Sequence, residues 1–282
     1  MSGEKMTKYK RRNKYQEKIA KNSNHWFFKF ICNYKTDGDL IYDNIEWGNI
    51  FYELNTDIGY YLFYKGKFED EEINYISNKL KNIHSPILFD IGANIGLHSV
   101  AWSKDINNNG KIFAFEPSKN TRKILVKNIE ANNKKDIISV IPKAVSNECG
   151  TSTFFDSKDN AYSSLKDTKR KPINDEYEIE TITLDQFIKE NLIEKIDIMK
   201  IDVEGFETEV IEGSRESLIL LKPDIFVEIY EGVNSNINAE LTINKLKVLG
   251  YVPYLLKNGV LTEFEKHDDE EYNYYFIHET KL

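Results

Sequence analysis

Between residues 87 and 229, short apolar runs alternate with stretches whose apolar residues recur every three or four positions. Short runs bounded by turn residues predict buried strands, and the longer period predicts helices. The expected strands are Ile87–Ile91, Lys111–Glu116, Ile137–Ile141, Ile196–Ile201 and Asp224–Ile229. Helices fall between them, from Leu97 to Lys104, from a Ser118 cap to about Asn132, and from Gly205 to near Gly213. A last helix over 238–249 stops at Gly250. Two strands, Tyr251–Leu256 and Tyr274–His278, close the chain. Upstream, Ile73, Ile76, Leu80 and Ile83 step by three, four and three, which predicts a helix from Glu69 to Asn82 that Pro86 ends. The aromatic stretch 45–65 reads as β-prone, Trp26 to Ile31 as a short helix, and 151–184 as β-prone with loops.

Strands alternating with helices predict an α/β fold, a Rossmann-like parallel sheet with helices on both faces. The closing strands predict an antiparallel hairpin at one edge. Three segments are expected: a basic tail over 1–23, an N-terminal α/β extension over 24–84 that packs on the core as a lid, and the main domain over 85–282.

Composition fits this picture. The 282 residues are 40% hydrophobic, with 17 Tyr and 16 Phe to fill a core. A run of ~18 apolar residues, the length a membrane helix needs, is absent, so no integral membrane segment is expected. Residues 1–21 hold eight Lys/Arg against Glu4 and Glu17, so a net of +6 there leaves −14 on the remainder. A body this acidic is a poor match for nucleic acid. Cys32 and Cys149 are far apart, which argues against a disulfide framework or a cysteine metal site. With no apolar leader at the start, a cytoplasmic location is expected.

The candidate chemistry begins where the first core strand ends. Asp90 opens into Gly92-x-x-x-Gly96, and a helix follows. In an open α/β sheet, ligands bind beyond the carboxyl ends of the strands. Gly92 and Gly96 permit positive φ and close backbone approach. The loop amides and helix N-terminus favour an anion, and Asp90 suits a cationic amine. Glu116, at the end of the next strand and 24 residues past Gly92, stands where a carboxylate accepts ribose hydroxyls. Asn94 occupies the place of a dinucleotide fold's second glycine, where it obstructs a pyrophosphate but can hydrogen-bond a methionine carboxylate. The alternative is a simple packing turn with Glu116 solvated.

A second constellation is Asp197-Ile-Met-Lys-Ile-Asp-Val-Glu-Gly205. Strand alternation puts Lys200, Asp202 and Glu204 on one face, with Glu228 comparable on the next strand. Such carboxylates suit a general base or acceptor orientation, because crowding raises their pKa values. They also suit Mg²⁺, though no metal is predicted. The structural alternative is a dipole-favouring Glu204 and a charge-balancing Lys200. His98, Ser163 and Ser164 are further acceptor-site candidates, set against packing and turn chemistry.

Four motifs occur in order: Asp-Ile-Gly-Ala-Asn-Ile-Gly (90–96), Phe-Ala-Phe-Glu-Pro (113–117), Thr-Leu-Asp-Gln-Phe (183–187) and Lys-Ile-Asp-Val-Glu-Gly-Phe-Glu (200–207). Together they resemble the FkbM family of S-adenosylmethionine-dependent methyltransferases over about residues 55–232. The resemblance implies a seven-stranded class I methyltransferase sheet and methylation of a hydroxyl on a sugar, glycan or secondary metabolite. By position it places Asp90, Gly92, Asn94 and Gly96 at the methionine end, Glu116 at the ribose, Ala144 and Val145 near adenine, and Asp202, Glu204 and Glu228 at the transferring methyl. The other readings are N-methylation of an amino group, an NAD-dependent sugar oxidoreductase, and a cofactor-binding scaffold without catalysis.

Overall fold

The computed structural model describes residues 10–11, 40–107, 109–229, 239–264 and 272–282. Apart from Lys10 and Arg11, the expected tail lies outside these residues, as does the expected helix from Trp26 to Ile31.

A three-stranded sheet comes first. The short β1 (Lys10–Arg11) pairs parallel with β2 (Leu40–Ile45), which forms an antiparallel hairpin with β3 (Gly48–Glu53). The rest of the aromatic stretch is not β structure. Gly59 to Tyr64 lie in helix α1 (Asp57–Lys65). Local signals outweigh aromatic β-propensity here. Thr56 Oγ1 accepts the Gly59 N–H, Asp57 sits in the first turn, and Gly66 ends the helix at φ 75°. Helix α2 (Asp70–Leu80) follows and buries Ile73, Ile76 and Leu80, the stripe read from the sequence.

The main sheet contains β4 (Ile87–Ile91), β5 (Lys111–Phe115), β6 (Ile138–Ile141), β10 (Ile198–Ile201), β11 (Asp224–Glu228), β12 (Tyr251–Lys257), β13 (Val260–Glu263) and β14 (Asn273–His278). Its order is β13-β12-β14-β11-β10-β4-β5-β6. β6, β5, β4, β10 and β11 are mutually parallel. The closing strands do pair antiparallel, but the last one, β14, slots between β11 and β12. The short β13 adds an eighth strand at the edge that the apolar pattern did not show, since its residues are mostly exposed.

Helix α3 (Leu97–Trp102) follows β4, and α4 (Lys119–Ala131) follows β5. A second small sheet, β7-β9-β8, is built from β7 (Ala144–Val145), β8 (Gly150–Ser157) and β9 (Ile173–Ile182). Thr183 caps α5 (Leu184–Glu190) through the Gln186 N–H. After β10 come α6 (Glu207–Glu212) and α7 (Arg215–Leu221), and α8 (Ala239–Val248) precedes β12.

The N-terminal hairpin shares the main core rather than resting on it. Ile50, Phe51 and Tyr52 are buried in the same cluster as Leu88, Trp102 and Leu125. Two asparagines of α4 extend hydrogen bonds to β3. Asn128 accepts the Phe51 N–H at 2.6 Å and donates to its carbonyl at 3.0 Å. Asn132 does the same for Asn49, at 2.9 and 2.7 Å. The strand's free edge is thereby satisfied by side chains instead of by another strand.

Candidate active site

The parallel register brings the carboxyl ends of β4, β10 and β11 together. Asp90 lies beside Lys200, and Ile201 beside both Ile91 and Val227. Residues just past these strand ends therefore face one crevice. A cavity of about 710 Å³ opens there. Gly92, Asn94, His98, Glu116, Ala144 and Val145 line it, as do Ser163, Ser164, Lys200, Asp202, Glu204 and Glu228. Of the candidate residues, only Asp90 and Gly96 are not part of its wall.

The glycine loop is held by its own hydrogen bonds. Gly92 and Ala93 both donate to the Phe115 carbonyl, at 3.1 and 2.9 Å, and Gly96 donates to Ala93 at 2.8 Å. Asn94 N–H donates to Glu116 Oε2 at 2.9 Å, and Asn94 Oδ1 accepts the Ile95 N–H at 2.8 Å. The loop amides expected to hold an anion are thus paired inside the fold. Gly92 is required sterically: its φ is 78°, and a Cβ would lie 1.8 Å from the Asp202 carbonyl oxygen.

Glu116 is only 6% exposed. Its second oxygen accepts the Ser118 N–H at 2.7 Å. Burial raises its carboxyl to about 7, against the opposing pull of those two N–H groups and of Arg122. Ala144 and Val145, on β7, form a buried apolar wall with Phe154.

Asp90 stands behind the cavity wall. It is fully buried; Oδ2 accepts Ser99 Oγ–H at 2.5 Å, and Oδ1 lies 3.8 Å from Lys200 Nζ. The lysine ammonium of the neighbouring strand thus lies beside Asp90. Lys200 also donates to Asp202 Oδ2 at 2.8 Å. Burial pulls its pKa down, but Asp202, Asp90 and Glu69 together lift it above the ordinary lysine value, so it is a charged, 3% exposed ammonium.

One oxygen each from Asp202, Glu204 and Glu228 lies within 4.8 Å of the others. Strand alternation does not explain Glu204, because β10 stops at Ile201. Glu204 and Gly205 adopt left-handed φ values of 52° and 96°, and this turn carries the side chain into the crevice. Arg170 pairs with Glu204 from the loop between β8 and β9. Burial first, then the Asp202 charge, raises Glu204 and Glu228 well above the carboxylate range; Arg170 opposes this at Glu204. Three carboxyls so close do not all ionise together. Asp202 has Lys200 as a partner, whereas Glu228 has no lysine or arginine ion pair among the described residues.

Ser163 and Ser164 line the cavity with their hydroxyls already engaged. Ser163 Oγ donates to Asp156 at 3.2 Å, and Ser164 Oγ to the Val203 carbonyl at 3.0 Å. His98 Nε2 lies 3.0 Å from Glu69 Oε2, a contact that is close but not aligned as a hydrogen bond.

Three contributing residues were not singled out from the sequence. Glu69 sits on the cavity wall at φ 48°, ahead of α2. In the sequence it begins an acidic helix start and looks like dipole chemistry. Arg170 lies in a loop with no periodic signal. Glu207, within a motif already noted, is 2% exposed and accepts the Gly205 N–H at 2.9 Å, bracing the turn that presents Glu204. The aromatic residues of the N-terminal extension divide between core and cavity. Trp47, Tyr52 and Tyr60 are core residues, while Tyr61 and Phe68 reach the cavity.

The chain is similar to known methyltransferases. It is 29% identical over 148 residues to the hexuronic acid methyltransferase AglP of Haloferax volcanii, covering 52% of this chain and 57% of that protein. The chain therefore spans little more than half of that relative. It is 28% identical over 227 residues to the methyltransferase sdnD of Sordaria araneosa, covering 70% of this chain and 86% of the relative. A crystal structure of methyltransferase FkbM from Methylobacillus flagellatus KT superposes with a TM-score of 0.46 at 17% identity, over 68% of this chain and 44% of that one. The methyltransferase FkbM domain model matches residues 90–253, more than half of the sequence and all three strand ends of the crevice. The chain thus belongs to the FkbM family of methyltransferases.

Proposed function

We propose that this chain transfers a methyl group from S-adenosylmethionine to a hydroxyl of a sugar, glycan or secondary metabolite. One observation carries the reading: a single cavity is lined by the glycine loop, the ribose-type carboxylate Glu116 and the trio Asp202, Glu204 and Glu228. Family membership supports the reaction class. The hexuronic acid named for the Haloferax volcanii relative supports a sugar-like acceptor.

The residues present fit the cofactor. Glu116 is buried on the cavity wall and retains lone pairs for ribose hydroxyls, and Ala144, Val145 and Phe154 supply an apolar surface for adenine. Gly92 and Asn94 line the methionine end beside Lys200. S-adenosylmethionine supplies an electrophilic methyl group on a sulfonium. The protein aligns the acceptor and removes a proton. Asp202 accepts the proton leaving the hydroxyl, and Glu228 carries a proton of its own and donates a hydrogen bond to the acceptor.

Among the described residues, no helix is long and apolar enough to cross a membrane. A cytoplasmic location is part of the proposal, supported by the exposed free thiol of Cys149.

The test is release of S-adenosylhomocysteine over a panel of sugars, nucleotide sugars, glycopeptides and amino acids, with and without Mg²⁺. Methyl on an acceptor oxygen is the expected product. Methyl on nitrogen, or no turnover on any acceptor, overturns the reading.

A further inference from the structure

The acceptor end of the cavity holds more carboxylates than cations. Lys200 is engaged by Asp202 and Arg170 by Glu204. Lys67 pairs with Asp70 at 2.7 Å, and Lys65 lies over the Tyr61 ring at 4.6 Å. Glu69, Glu72 and Glu228 line the same cavity; among the described residues none has a lysine or arginine ion pair, and Glu69 meets only the His98 imidazole, at 3.0 Å. Burial is the largest influence on both Glu228 and Glu72; the charges of Asp202, Glu204 and Glu69 add to it at Glu228 against Lys200, and that of Glu69 adds to it at Glu72 against His98.

Independent of this charge excess, buried polar atoms on the same wall lack hydrogen bonds. His98 is 7% exposed and lines the cavity, yet its Nε2 makes no hydrogen bond despite lying 3.0 Å from Glu69. Asn273 donates to Glu72 at 3.3 Å, while its buried Oδ1 has no partner. Carboxylates and an amide oxygen together request donors. An ammonium offers three donors, a positive charge and no acceptor. Tyr272, 45% exposed, also lines this end and presents a ring suited to a sugar face or a cation.

We infer that the acceptor is a sugar-like molecule bearing a protonated amino group, held against Glu69 and Glu72; this rests on the methyl-transfer reading above. The ammonium anchors the molecule, and a hydroxyl elsewhere on the ring is presented to Asp202. A carboxylate in the same place would face like charges at short range in a partly desolvated cavity. The inference therefore separates this chain from a hexuronate-using enzyme, although the Haloferax volcanii relative is named a hexuronic acid methyltransferase.

Isothermal titration of the full chain, preloaded with S-adenosylhomocysteine, tests it with three probes: methyl glucosaminide, methyl glucoside and methyl glucuronide. The amino sugar should bind at least about tenfold more tightly than the neutral sugar, and the uronate more weakly than both. Glu69→Gln should shrink the preference for the amino sugar while S-adenosylhomocysteine affinity and melting temperature hold. If that variant does not fold, the wild-type ranking decides alone. Equal affinities, a preference for the uronate, or no binding by any probe overturns the inference and leaves the cofactor reading standing. So does loss of the preference on adding millimolar Mg²⁺ that itself binds, because the carboxylates then belong to a metal. Failure to bind S-adenosylhomocysteine removes the underlying reading as well.

Discussion

Glu116 Oε2 accepts the backbone N–H of Asn94 at 2.9 Å, tying the end of β5 to the glycine loop that follows β4. The carboxylate therefore has two tasks, shaping the loop and facing the ligand. Glu116→Ala removes both, and S-adenosylhomocysteine affinity should fall by about ten- to a hundredfold, the range set by losing hydrogen bonds to a charged group. Glu116→Gln keeps one accepting oxygen and should lose less. Calorimetric titration makes the comparison, and unchanged affinity in the alanine variant removes Glu116 from the site.

Asp202 is separable from cofactor binding. Its carboxylate pairs with Lys200, and its backbone carbonyl faces Gly92 closely enough to exclude a side chain there. Asp202→Asn preserves volume and backbone but removes the base. Turnover should fall by about 10²–10⁴-fold, the usual contribution of general-base catalysis. S-adenosylhomocysteine affinity should stay within about threefold, since the contacts proposed for that ligand lie elsewhere. Turnover at the wild-type rate takes Asp202 out of the mechanism.

The parallel sheet was legible because buried strands write continuous apolar runs, and Ile87–Ile91 matched β4 residue for residue. Asp202 and Glu116 were legible because each directly follows such a strand. Glu204 reached the crevice by a left-handed turn, which strand periodicity does not encode. Asp90 was placed at the right strand end but not assigned its neighbour. Only the register with β10 shows that Lys200 lies beside it. Tyr60 to Tyr64 were misread as β-prone because ring content was weighed above the Thr56 cap and Gly66 stop. Glu69 and Arg170 belong to segments brought together by tertiary packing, so no local pattern marks them.

Glu207 makes the stability of the fold depend on pH in a defined direction. Burial raises its carboxyl from 4.5 to about 7, opposed by N–H groups of its own turn. Below the unfolded pKa both states hold the proton and Glu207 contributes no slope. As pH rises from about 4.5 through 7, the folded state binds more protons than the unfolded one, so stability falls. The full shift corresponds to about 3 kcal/mol. Glu207→Gln mimics the protonated form and should flatten this decline. Urea unfolding at pH 5 and pH 8 measures it: wild type should lose more stability than the variant between the two values. An equal loss refutes the assignment.

Asn128 offers a sharper test of the N-terminal extension than deleting the first 50 residues, which would remove all of β2 and half of β3 and open the core. Its amide bridges three backbone groups: the Phe51 N–H, the Phe51 carbonyl and the Ile95 carbonyl at 2.8 Å. Phe51 belongs to the extension and Ile95 to the glycine loop, so one buried side chain couples the two. Asn128→Ala leaves the Phe51 N–H buried without that acceptor and should cost about 2–4 kcal/mol in chemical denaturation. Asn132→Ala removes the parallel clamp on Asn49 at a half-buried site, where water replaces the lost bonds, and should cost less. Because Ile95 continues the loop that Glu116 secures, Asn128→Ala should also weaken S-adenosylhomocysteine binding severalfold in protein that remains folded, whereas Asn132→Ala should leave it unchanged. Equal effects of the two variants on ligand affinity would mean that the extension stabilises the domain as a whole and does not tune the loop.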